Sequence, residues 1–124
     1  MGFMTFVWVF IGGGIGSLLR YALSKWLPFT AAHFPWATLL SNLLAAFVLA
    51  LAVQFLKDTP KWVQIQPFIV VGICGGLSTF STFTYENFQL LQQGQLTLFW
   101  INLLLSFGLS LALFYFFARS TGSY

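Results

Sequence analysis

The chain has 124 residues, of which 59% are hydrophobic and 6% charged, and its mean hydropathy is +0.88. A soluble domain carries about a quarter charged residues, so this chain has too few to cover a water-facing surface, and its main solvent is a bilayer. The net charge of +3 rests on five scattered residues, Arg20, Lys25, Lys57, Lys61 and Arg119, which form no basic patch and exclude a nucleic-acid partner; the single cysteine, Cys74, excludes an intrachain disulfide.

The length suits one domain over residues 1–124. Crossing a hydrocarbon layer about 30 Å thick takes about 20 mostly apolar residues, and the chain offers four such stretches. The first begins at Phe3, meets Arg20-Tyr21 and is placed over about 3–23. It does not read as a cleaved signal, because Met1 to Trp8 holds no Lys or Arg and no Ala-x-Ala site follows. The second follows Pro35 over 36–56 and stops at Lys57-Asp58. The third lies over about 63–85, between Lys61 and Glu86, with Pro67 near its start. The fourth runs over 96–118 and stops at Arg119. Trp8, Trp26, Trp36, Trp62 and Trp100 mostly sit near segment ends, as an interfacial aromatic belt requires. The fold class is therefore all-α, a single four-helix transmembrane domain whose consecutive helices are antiparallel because the linkers are short.

Four spans put both termini on one side, with Lys57, Lys61 and Arg119; Arg20 and Lys25 fall on the other. Cytoplasmic loops normally hold a clear Lys/Arg excess. Three against two is almost no bias, which allows insertion both ways up and an antiparallel homodimer; a single decisive charge is the plain alternative.

Polar residues inside a bilayer carry the remaining information. Thr38, Ser41 and Asn42 share a face of the second helix, Asn102, Ser106 and Ser110 repeat every four residues on the fourth, and Ser78, Thr79, Ser81, Thr82 and Thr84 crowd the third around Phe80 and Phe83. Each alone is ordinary helix-packing glue; three stripes in four helices point to a polar pathway. No span has a carboxylate, Lys or His in its middle, so a proton relay is missing. His33 has no metal-ligand partners, Glu86 sits at a span's mouth, and no hydroxyl has a basic neighbour, which argues against an enzyme. Phe80 and Phe83 lie three apart on one helical face. With sixteen phenylalanines in the chain, packing is their plain role, yet the positive ring edge between hydroxyls suits a small anion. Gly75-Gly76, with Gly72 one turn earlier, either packs closely or breaks the third helix at mid-membrane, with Ser78 and Thr79 as caps for its second half. In the first helix Gly12 and Gly16 make a small-xxx-small contact, since the run lacks the Gly-Lys-Ser/Thr of a phosphate loop.

The run Gly72-Ile73-Cys74-Gly75-Gly76-Leu77-Ser78-Thr79-Phe80-Ser81-Thr82-Phe83 resembles the third-helix signature of the Fluc (CrcB-like) fluoride channels. Gly12-Gly13 through Gly16 to Arg20-Tyr21 resembles that family's first helix, Thr38 to Leu43 its second, and Ser106 with Ser110 the hydroxyl pair of its fourth. The resemblance covers all four helices in order. It implies a passive fluoride channel exporting the ion across a bacterial plasma or inner membrane, built as a lipid-embedded dual-topology homodimer with a third helix broken near its middle. It further implies ring edges of Phe80 and Phe83 toward the anion, an amide N–H from Asn42 and a hydroxyl from Ser110, with Ser81, Thr82, Ser106 and Thr38 along the path. Carbonyls of Gly75 and Ser78 would hold a structural sodium ion between subunits, and Arg20 would be structural. Departures include Ser78 where the family often has Thr, Ala37 and Ala45 in place of small glycines, and Asn102. A small multidrug exporter is the rival, against the absence of any Asp or Glu before Asp58; a non-conducting assembly subunit is another.

Overall fold

The computed structural model describes residues 2–30 and 33–119, the side chain of Arg119 excepted. It is all-helical among these residues. Four stretches are long and apolar enough to cross a membrane: Phe3–Trp26, Trp36–Leu56, Trp62–Gln92 and Leu96–Ala118. The first is α1 (Phe3–Trp26) and the second α2 (Trp36–Leu56). The third is composite. It comprises α3 (Trp62–Gln66), a π-helical segment (Pro67–Cys74), α4 (Gly75–Leu77) and α5 (Phe80–Gln92). The fourth is α6 (Leu96–Arg119).

The helices reach further than the charged residues mark. α1 continues past Arg20 to Trp26. α5 continues past Glu86 to Gln92, where Gly94 adopts φ +71°, and the bonds Gln95 N–H to Leu90 and Gly94 N–H to Leu91 close the end. That left-handed cap is one a glycine takes without cost. Glu86 is therefore not a mouth residue. It is 4% exposed and accepts a hydrogen bond from the Thr38 hydroxyl of α2.

Most of the surface is apolar. Phe3, Phe6, Phe10, Leu18, Val63, Leu104, Leu111 and Phe116 all face outward, an arrangement that is stable only where lipid replaces water. The buried apolar cluster is small, Ala45, Cys74 and Leu77 with Val48, Leu49 and Ile69 packed on it. Lipid tails are as apolar as a leucine core, so close backbone packing and polar contacts must hold the helices together.

The closest packing joins α1 to the π-helical segment and α4. A Cβ on Gly12 would lie 2.5 Å from the Phe68 carbonyl oxygen, and one on Gly76 2.5 Å from that of Gly13. A Cβ on Gly16 would run into the Ile73 carbonyl, and one on Gly72 would come within 2.9 Å of the Gly12 Cα. Two pairs of small residues thus lay backbone directly on backbone. Pro67 starts the π-helical turn: it has no N–H to give, and by Gly75 the N–H bonds to the Val70 carbonyl as well as to Gly72. On the other side of the molecule α2 packs along α6, and α5 touches α6.

Candidate functional site

Gly75 is helical (φ −65°, ψ −37°). The change of backbone comes three residues later: Ser78 (φ −78°, ψ 155°) and Thr79 (φ −151°, ψ 123°) are extended, and α5 starts at Phe80. Gly72 and Gly76 serve packing, Gly75 is exposed with room for a Cβ, and the hydroxyl residues carry the turn out of the helical path. Side chains replace the helical bonds lost there. The Thr79 N–H donates to Asn42 Oδ1 at 2.8 Å, and the Asn42 amide reaches back to the Thr79 carbonyl at 3.4 Å. The Thr82 N–H donates to the Thr79 hydroxyl oxygen at 3.2 Å, a side-chain N-cap of α5. Arg20 Nε donates to the Gly76 carbonyl at 3.0 Å, putting a cation at the carbonyl end of α4, where the helix dipole favours one.

Two carbonyls are freed by the same exchange. In a continuous helix Gly75 would accept from the N–H of residue 79 and Ser78 from that of residue 82. Those two donors are taken by Asn42 and Thr79.

Beside this step lies an open groove of about 490 Å³. Its wall brings together Asn42 of α2, Gly75, Ser78, Phe80 and Phe83 of the third span, and Ser110 of α6, which lie far apart in sequence. Phe80 is 74% exposed and Phe83 6%, with ring centroids 6.1 Å apart and planes inclined by 35°. Phe83 is fixed edge-on against Phe107 at 6.0 Å and 89°. The Ser110 hydroxyl has no hydrogen-bond partner among the described residues and is free to donate. Ser106 also borders the groove, but its hydroxyl donates to Asn102 Oδ1 at 3.2 Å.

The other sequence candidates lie outside the groove's wall. Thr38 is buried on Glu86. Ser81 is exposed, 3.4 Å from the Thr79 hydroxyl, and Thr82 is half-buried at the cap. Ser41 and Thr84 return their hydroxyls to carbonyls of their own helices, Ala37 at 2.8 Å and Phe80 at 2.9 Å. They act as local back-bonds. Asn87 was not among the sequence candidates. Its amide donates to the Phe83 carbonyl at 2.9 Å and accepts from Asn102 at 3.0 Å. The signal available for it is that Asn102 sits in an apolar helix and needs a partner from another element.

The groove has mainly apolar walls and a few neutral donors. The N-terminus of α5 opens toward it at Phe80, and the unpaired N–H groups of a helix start carry partial positive charge. Glu86, the only carboxylate inside a candidate span, is turned to Thr38 and does not border it. Such a wall can solvate a small anion without a fixed countercharge.

Residues 7–118 match the family model described as CrcB-like protein, Camphor Resistance (CrcB). The chain is similar to the fluoride-specific ion channel FluC 1 of Yersinia pestis, 43% identical over 98 residues that cover 76% of this chain and 75% of that one. It is 38% identical over 104 residues to the fluoride-specific ion channel FluC of Geotalea daltonii, covering 82% and 84% of the two chains. With the FluC of Pyrococcus horikoshii the identity is 44% over 97 residues, covering 75% and 76%.

Proposed function

The chain belongs to the CrcB-like family, and from that premise we propose that it is a passive fluoride channel that lets the ion leave the cell through the plasma membrane. The observation that carries the reading is the groove that gathers Asn42, Phe80, Phe83 and Ser110 beside the start of α5. Fluoride is small and strongly hydrated, so a path must replace its water with donors yet bind weakly enough to release it. Neutral donors and ring edges meet both needs. The Ser110 hydroxyl offers a free O–H. The second N–H of the Asn42 amide is available, since one is directed to Thr79. Phe80 and Phe83 offer the positive edges of their rings, and Phe107 holds the second ring edge-on. Nothing in the wall accepts a proton, which favours a channel over a proton-coupled exporter.

The functional form in this reading is an antiparallel, dual-topology homodimer. Support comes from the exposed Phe80 ring, the open side of the groove and the near-even basic balance of the two membrane faces. The third span works as a discontinuous helix, its carbonyl end and its N–H end meeting at Ser78–Thr79. A structural sodium ion fits the freed Gly75 and Ser78 carbonyls, a neutral oxygen set of the kind unwound membrane helices offer sodium. When bound, the ion supplies fixed positive charge that raises the potential for a nearby anion. This chain's own residues do the rest: Asn42 and Thr79 keep the two carbonyls out of helical bonds, and Arg20 holds the neighbouring Gly76 carbonyl.

Purified protein in liposomes is expected to release fluoride when a potassium ionophore balances charge, and to pass chloride barely at all. Fluoride movement that required a proton gradient would replace the channel by an exchanger. Topology is tested separately: single cysteines in the Lys57–Trp62 linker, with Cys74 removed, are expected to be labelled from both faces of intact cells. Labelling from one face alone would refute dual insertion.

A further inference from the structure

Three buried side chains connect the groove to the backbone of the third span. Ser106 donates to Asn102 Oδ1 at 3.2 Å, Asn102 Nδ2 to Asn87 Oδ1 at 3.0 Å, and Asn87 Nδ2 to the Phe83 carbonyl at 2.9 Å. Asn102 is 1% exposed and Asn87 5%. The direction of this chain follows from its last member. A backbone carbonyl can only accept, so the Asn87 amide must turn its NH₂ to Phe83 and its oxygen to Asn102. Asn102 must then give its NH₂ to Asn87 and its oxygen to Ser106. Ser106 is left with one choice, to donate inward. Each link is fixed by the one before it, and the anchor is covalent backbone.

We propose that Asn102 and Asn87 are positioning residues: they hold the Ser106 hydroxyl hydrogen away from the groove, so that Ser106 presents only lone pairs there and Ser110 supplies the donor of the fourth helix. The inference rests on the channel reading and deepens it. Ser106 and Ser110 are one turn apart, about 6 Å along the helix axis. With both hydroxyls donating, an anion would meet two adjacent wells on the same wall. With Ser106 turned inward, its lone pairs repel the anion at that level, and binding stays confined to the level of Ser110. Conduction requires binding weak enough to release the ion, and a second hydroxyl donor at the Ser106 level would hold it more tightly. The same relay ties α5 to α6 behind Phe83, so the ring and the hydroxyl are set by one network.

The test compares Asn87→Leu/Asn102→Leu with and without Ser106→Ala, in liposomes, over a range of fluoride concentrations. Replacing both amides leaves no orphaned buried polar atom between them, and such paired apolar replacement is close to neutral for folding. The double leucine variant frees the Ser106 hydroxyl to turn into the groove. Half-saturating fluoride is expected to fall about fivefold, the worth of about one hydrogen bond, with slower maximal efflux. Adding Ser106→Ala is expected to bring half-saturation back to within about twofold of the unmodified protein, the non-additivity that marks a shared mechanism. An equal shift in both backgrounds, or none, overturns the proposal and leaves the two asparagines as packing residues. Should the double leucine variant not assemble, Ser106→Ala decides alone: loss of most fluoride efflux would show that Ser106 donates to the ion and would overturn the relay, while retained efflux supports it. Unmodified protein that moves no fluoride at all removes the channel reading itself, a result distinguishable from either.

Discussion

Two seams run through this small membrane protein, and they hold helices together by opposite means. Between α1 and the first part of the third span the closest contacts are made without side chains: Gly12 and Gly16 meet Gly72 and Gly76 backbone to backbone. Between α2, α5 and α6, polar side chains bond across elements: Thr38 to Glu86, Asn42 to the backbone of Thr79, and Asn102 to Asn87. Neither seam relies on hydrophobic burial, which is nearly worthless between helices in lipid. The glycine seam holds backbone against backbone and presents no polar side chain of its own. The polar seam leaves some donors free, and the groove opens along it. Arg20 joins the two, since it rises from the glycine-bearing helix and bonds to the carbonyl of Gly76.

The contrast can be broken at either seam. Gly16→Leu is expected to do most damage, because its side chain would occupy the space of the Ile73 carbonyl and lie 2.7 Å from the Leu77 nitrogen. Backbone cannot yield as a flexible side chain can, so the cost exceeds the usual 1–3 kcal/mol of about one overpacked residue. Loss of a monodisperse peak in detergent would register it. Arg20→Met comes next. It removes the charged donor from a half-buried carbonyl, a loss of about 1 kcal/mol, read as a lower thermal midpoint in detergent. Thr79→Val keeps the shape of the residue but removes the cap on the Thr82 N–H, worth about 1 kcal/mol, and the same melting measurement applies. Gly14→Ala is the smallest. A Cβ there meets nothing within 4 Å, so the change is expected to stay within a few tenths of a kcal/mol, or to stabilise slightly through helix propensity. A large loss at Gly14 would place another surface against that face of α1.

The same contrast explains what could be read from the sequence. Four spans follow from length and hydropathy, and the glycine spacing announces close contact, because both are properties of one helix at a time. The ends of the spans are less legible. Charge ordinarily marks the water boundary, and Glu86 carries charge, yet its helix continues to Gln92 and buries it on Thr38. The polar stripes are visible one helix at a time, but which stripe bonds to which depends on packing between helices. Asn42 reads as a free donor, whereas its oxygen and one N–H are directed to Thr79. Ser106 and Ser110 repeat on one face of their helix, and spacing alone does not say that one hydroxyl is committed inward while the other has no partner among the described residues. Asn87 gives no sign of its role within its own helix; the hint lies in Asn102, which sits in an apolar helix and needs a partner from another element.

The central claim is that neutral donors and aromatic edges in the groove carry the anion, and the paired rings test it most directly. Phe80→Ile and Phe83→Ile keep apolar volume and remove the ring quadrupole, so they separate electrostatics from packing. Fluoride efflux from liposomes, normalised to folded protein, is expected to fall by a large factor for each variant. The two losses are expected to differ, since Phe83 is buried against Phe107 and Phe80 is exposed. Two folded variants with efflux equal to the unmodified protein would contradict the account.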